Sequence, residues 1–123
     1  MTPFSLLLVD DQPHVLHFLA TLVATDDRLA LAGIATNGLS ALTAAQRHCP
    51  DAIVCDVQMP VMDGLQAVPL LRQACPASVI VMYSSDVDAA WRALQEGADA
   101  VFDKAHDANL LLDRLVELCR SGR

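Results

Sequence analysis

Basic residues are scarce: eight lysines and arginines stand against fifteen aspartates and glutamates, giving a formal charge of −7. Nucleic-acid backbones need clustered cationic side chains, and these few are scattered, so DNA or RNA binding by this chain is excluded as its main work. Long apolar runs are also missing. The stretch from Phe4 to Val9 falls far short of the roughly 20 residues needed to span a bilayer, and the preceding Met-Thr-Pro-Phe-Ser has no basic leader segment. Membrane insertion and secretion are therefore not expected, and a cytoplasmic protein is. The four cysteines, Cys49, Cys55, Cys75 and Cys119, form no C-x-x-C pair and no Cys/His cluster, which argues against a zinc site. Four reduced and mostly buried thiols are the expectation for such a compartment. No internal repeat, linker or low-complexity segment is present.

What the sequence does have is apolar residues, 54% against 19% charged, a composition that folds. With 123 residues it is sized for one domain covering the whole chain, residues 117–123 forming a helix end and the start of a linker or a frayed tail.

Apolar runs of strand length alternate with helical periodicity. Phe4 to Val9 reads as a strand; Pro13 then opens a helical pattern through Val15, Leu16, Phe18, Leu19, Leu22 and Val23, with Asp11 near its cap. Leu29 to Ala35 is a second strand, followed by a break at Asn37-Gly38 and a helix from Leu39 to His48. The segment Ala-Ile-Val-Cys within Asp51 to Asp56 is apolar on both faces, as a strand covered on both sides must be. An irregular stretch from Val57 to Gly64 is followed by a helical pattern to about Ala74; Ser78 to Tyr83 is the fourth strand, Asp86 to Glu96 a helix stopped by Gly97, Ala100 to Phe102 a fifth strand, and Asp107 to Cys119 the last helix. This alternation implies an α/β fold with a parallel sheet, right-handed crossovers and helices on both faces.

Parallel strands share one carboxyl-terminal edge, where such sheets bind ligands. Asp10 and Asp11 close the first strand, Asp56 the third, Ser84 follows the fourth and Lys104 the fifth. Clustered carboxylates repel unless a hard cation sits among them. Mg²⁺ suits Asp10, Asp11 and Asp56 with one backbone carbonyl, assigned to Gln58, because it keeps waters and phosphate oxygens in its remaining positions. An attacking carboxylate needs the incoming phosphoryl charge neutralised, and the Lys104 ammonium and Ser84 hydroxyl are suited to that, the small Ser85 leaving room.

Val9-Asp10-Asp11, Asp56 followed by Met59-Pro60-Val61-Met62-Asp63-Gly64, Ser84 and Lys104 together resemble the receiver domain of bacterial two-component response regulators over essentially the whole chain. The resemblance implies a flavodoxin-like (βα)5 doubly wound sheet of order 2-1-3-4-5. It implies Asp56 as phosphoacceptor, a histidine kinase, phosphotransfer protein or small phosphodonor as source, and slow self-catalysed hydrolysis rather than enzymatic turnover. It further implies an output domain or partner protein, with a homodimer among the options, and tuning of phosphate lifetime at Gln58 and Asp86.

Two positions depart from the family. Val101 stands three residues before Lys104, where a switching aromatic is usual; Phe102 is adjacent but points to the other face unless the register slips by one. Ala105 replaces the proline that often follows the lysine in a cis bond, which leaves the geometry of the Lys104-Ala105 bond open. The missing aromatic keeps a second function in view, a degenerate receiver that binds partners without phosphorylation. A Mg²⁺-dependent phosphohydrolase would resemble Asp-x-Asp at its nucleophile, and Asp56-Val57-Gln58 supplies no second carboxylate. Asp63-Gly64 reads as a turn and helix start, His14 and His17 as exposed helix polarity, Tyr83 as core, and Trp91 as a partner-facing residue on the fourth helix.

Overall fold

The computed structural model describes residues 2–122. Its elements follow the order β1 (Phe4–Val9), α1 (Pro13–Ala24), β2 (Leu29–Ala35), α2 (Gly38–Arg47), β3 (Ala52–Cys55), α3 (Gly64–Ala74), β4 (Val79–Ser84), α4 (Val87–Arg92), a 3₁₀ turn (Ala93–Glu96), β5 (Ala100–Asp103) and α5 (Ala108–Arg120). The strands form one parallel sheet of order β2-β1-β3-β4-β5. No helix among the described residues is long and apolar enough to cross a membrane.

Strand residues alternate between two cores. Leu7, Val9, Ile53, Cys55, Ile80 and Met82 face α2, α3 and α4, while Leu6, Leu8, Val54, Val79, Val81 and Tyr83 face α1 and α5. Both faces being covered, β3 and β4 are buried at every position, which is why their sequences read as unbroken apolar runs. Helix starts use local acceptors: Asn37 caps α2, Asp86 caps α4 and Asp107 caps α5, each through its side chain. Asp63 forms a reciprocal capping box with Gln66 at α3, the helix start expected of it. Gln12, not Asp11, occupies the cap of α1, so Asp11 is left free of that task.

The helix expected over Asp86 to Glu96 is divided. Its second half tightens into the 3₁₀ turn, and Gly97 ends it at φ 122°, a conformation open to glycine. Arg72 on α3 grips this corner: its guanidinium donates to the carbonyls of Gly97 and Ser78 and to Asp99. Arg120 belongs to α5 and not to a frayed tail, while Arg123 lies outside the described residues.

The expectation of four reduced thiols is overturned at one pair. Cys49 and Cys75 form a disulfide with a Cα separation of 5.7 Å; Cys55 and Cys119 remain free. The two partners are 26 residues apart in sequence, and they meet because Cys49 follows the end of α2 while Cys75 caps the end of α3, two helices packed side by side on one face.

Candidate functional site

Every strand points its carboxyl end to the same edge, and the parallel register sets Val9 beside Cys55 and Ser84 beside Asp103. The residues immediately following therefore gather there. Ligand oxygens of Asp10, Asp11 and Asp56 lie within 4.8 Å of one another. Asp10 and Asp56 are buried and Asp11 is exposed, so the group opens to solvent on the Asp11 side.

Lys104, the one lysine in the chain, reaches into this cluster from the end of β5. Its Nζ stands 2.8 Å from Asp10 Oδ2 and 3.0 Å from Asp56 Oδ2. Its backbone N–H donates to the Ser84 carbonyl, tying the β4 and β5 ends together. Burial would lower the lysine pKa, but hydrogen bonds and charge from Asp10 and Asp56 outweigh it and hold the ammonium above its ordinary value. Burial raises the Asp56 pKa, with the Asp10 charge adding to it, against the opposing Lys104 bond and charge and the Val57 amide.

The loop after β3 shapes the other wall. Val57 N–H donates to Asp56 Oδ1 at 2.7 Å, leaving Oδ2 toward Lys104. This amide is a contact to Asp56 that sequence reading misses, because a backbone donor leaves no trace in side-chain identity. Gly64 N–H donates to the Val57 carbonyl at 2.7 Å, and a methyl at Gly64 would run into the Asp56 carbonyl oxygen. Glycine is needed there for close approach. Val61 adopts φ 68° at the centre of a turn closed by Met62 N–H to the Pro60 carbonyl, a strained state for a β-branched residue in the loop that follows Asp56.

Ser84 is buried at the end of β4 and its Oγ accepts from Asp86 N–H at 3.0 Å; Ser85 is exposed. Gln58 is exposed on the loop two residues beyond Asp56, and exposed Asp86 is engaged as the α4 cap. Val101 pairs in register with Met82 and packs on the α4 side, while Phe102 pairs with Tyr83 and packs on the α1 and α5 side. There is no register slip, and the aromatic does not occupy the position facing α4. The described residues contain no cis peptide bond, so Lys104-Ala105 is trans. Tyr83 is core, as expected, with the Lys104 ammonium 5.9 Å from its ring centre; Trp91 is 55% exposed on α4, and His14 and His17 are exposed.

A family model for the response regulator receiver domain matches residues 6–116. A protein-glutamate methylesterase/protein-glutamine glutaminase of Myxococcus xanthus is 34% identical over 105 residues, 83% of this chain and 30% of that protein. One from Methanosarcina mazei is 34% identical over 94% of this chain and 34% of its own length. The chain thus spans about a third of these curated relatives. Among solved structures, the response regulator domain of Thermotoga maritima CheB aligns with TM-score 0.82 at 26% identity, covering 98% of this chain and 96% of that one. A putative response regulator from Chloroflexus aurantiacus aligns at 0.84 and 28% identity, covering 96% and 98%. A family match running from β1 into α5, on a sheet wound in this order, makes the chain a member of the response regulator receiver domain family.

Proposed function

We propose that residues 1–123 act as one phosphorylation-controlled signalling domain, in which Asp56 accepts a phosphoryl group from a histidine kinase, a phosphotransfer protein or a small phosphodonor. One observation carries the reading: Asp10, Asp11 and Asp56 converge at the sheet edge with Lys104 bonded to two of them. Asp56 Oδ2 attacks the phosphorus as the bond to the leaving group breaks. Val57 N–H fixes the carboxylate orientation through Oδ1, so the attacking oxygen is the one beside the ammonium. Lys104 then pairs with a phosphoryl oxygen in place of a carboxylate, and Ser84 Oγ, at the neighbouring strand end, donates to another.

All-oxygen donors of this charge fit Mg²⁺, which Asp10, Asp11, Asp56 and the Gln58 carbonyl would hold and which supplies charge neutralisation for the transferred group. Gln58 and Asp86 border the acceptor and set how readily water reaches it. The domain itself is a signalling module; catalysis by any longer protein that carries it is a separate question, and the methylesterase names belong to the relatives. An exposed α4 surface with Trp91 suits a protein partner.

The test is intact-protein mass spectrometry after incubation with acetyl phosphate and Mg²⁺. One phosphoryl adduct is expected, abolished by chelator and by Asp56→Asn. An adduct that persists in the Asn variant overturns the assignment, and no adduct in the wild type leaves the degenerate receiver as the function.

A further inference from the structure

The Cys49–Cys75 bond lies at the sheet edge opposite Asp56, where the chain enters β3 and β4. It staples the carboxyl ends of α2 and α3. The other ends of those helices reach the acceptor loop: Gly38, the first residue of α2, donates its N–H to the Met62 carbonyl at 2.7 Å, and Gly64, the first of α3, bonds the Val57 carbonyl. Ala41 and Ala45 of α2 share one buried cluster with Ala67, Val68 and Leu71 of α3. Small residues let these helices pack closely, so a restraint at one end of the pair constrains the loop at the other.

The bond is open to attack. Cys49 is exposed, and both cysteines line a cleft of about 200 Å³ shared with Pro50, Asp51, Pro76 and Ala77. The reduced state is provided for as well. In the bonded state Cys49 Sγ lies 3.6 Å from the Ala74 carbonyl and Cys75 Sγ 3.4 Å from the Ala45 carbonyl, acceptors close at hand for the two thiols once the sulfurs separate. The other two cysteines are poor exchange partners. Cys55 is fully buried, and burial with the Asp51 charge pushes the Cys119 thiol up to about 11, leaving little thiolate at neutral pH.

We propose that Cys49–Cys75 is a reversible exchange site for protein dithiols, through which redox state sets the rate of phosphoryl uptake at Asp56. A thiolate of the dithiol attacks Cys49 Sγ, the disulfide breaks and Cys75 leaves as a thiolate that takes a proton. The second thiolate of the reductant resolves the mixed disulfide and Cys49 leaves in the same way. The domain gains two electrons and two protons, and the dithiol becomes a disulfide. Oxidised, the helix pair is clamped and the acceptor loop held in place; reduced, the pair loosens and uptake slows.

The coupling to uptake rests on the function proposed above, so the experiment reads exchange and loop response without phosphate as well. The protein is equilibrated in oxidised and reduced dithiothreitol mixtures, then alkylated in denaturant. Two labels per chain rising to four are expected across the series, with backbone amide shifts at Gly38, Met62 and Gly64 between the end states. Uptake from acetyl phosphate should fall roughly threefold on reduction, near the low end of coupling between distant sites. Cys49→Ser should take up phosphate at the reduced rate in every mixture; because Cys49 is exposed, this variant keeps the buried Cys75 in place. Four labels at the oxidising end, or two throughout, overturn the exchange site. Unchanged amides at 38 and 62–64 overturn the coupling, as does equal uptake in both redox states. Failure of uptake in both states, with label counts and amide shifts as expected, counts against phosphoryl transfer and not against exchange.

Discussion

The Lys104 ammonium sits 3.0 Å from the Asp56 carboxylate while also holding Asp10 at 2.8 Å. One cation thus compensates two buried anions, and the lysine is itself largely covered. Lys104→Met keeps the length of the stem and removes the charge. Uptake from acetyl phosphate should slow by about 100-fold, the usual loss when a donor to a developing charge is removed. Phosphorylation time courses measure it, and a variant that keeps the wild-type rate would show that Lys104 has no part in transfer.

Asp11 is neither a helix cap nor a buried partner, so its carboxylate answers only to the cluster. Without metal the like charges repel, and Asp11→Asn should raise the melting temperature in chelator. Mg²⁺ at a hundredfold above its Kd should stabilise the wild type by about 2.7 kcal/mol, and the Asn variant much less. Melts in chelator and in rising Mg²⁺ decide between this and a misplaced metal site. Loss of stability in chelator with a full Mg²⁺ response would remove Asp11 from it.

Val101 faces α4 with no ring to swing, so activation should travel through Ser84 and the loop after β4. Beryllofluoride, which mimics the phosphoryl group on Asp56, should shift backbone amides chiefly in residues 84–90. Shifts concentrated at Val101 and Phe102, with 84–90 still, would contradict this route.

Arg72 ties α3 to the Gly97 and Ser78 carbonyls and to Asp99, and its side chain is 18% exposed. Arg72→Met removes a charged donor from those groups in a half-buried corner. A cost of about 2 kcal/mol is expected in denaturant melts, the scale of lost hydrogen bonds to a charged group. Arg72→Lys should recover little, having no planar fork to reach three acceptors.

Asp26 illustrates a pH effect away from the site. The Arg28 hydrogen bond, with its charge and backbone N–H, holds the Asp26 carboxyl below its ordinary value against the opposing burial. A depressed carboxyl adds stability that is complete above the unfolded pKa and disappears as pH falls through the folded one. Asp26→Asn should therefore cost about 1 kcal/mol at pH 7, and the gap to wild type should close in strong acid. Melting temperatures of both proteins from pH 7 down to 2 measure it; a constant gap would show that the pair is not electrostatic.

The element order and the identities of Asp10, Asp11, Asp56, Ser84 and Lys104 are legible in the chain itself, because a doubly covered parallel sheet demands unbroken apolar runs such as Ala52–Cys55 and leaves its chemistry at their ends. The departure at Val101 is legible too, since alternation along β5 decides which face each side chain meets. Tertiary structure alone decided the rest. That Lys104 bridges Asp10 and Asp56 depends on the distances between strand ends, and that Val57 N–H holds one oxygen of Asp56 depends on the path of one loop. The 3₁₀ turn after α4 ends at a corner gripped by an arginine more than twenty residues upstream. Cys49 and Cys75 carry no local signal of pairing: periodicity reports what one segment buries, and only the packing of α2 against α3 brings their ends within bonding reach.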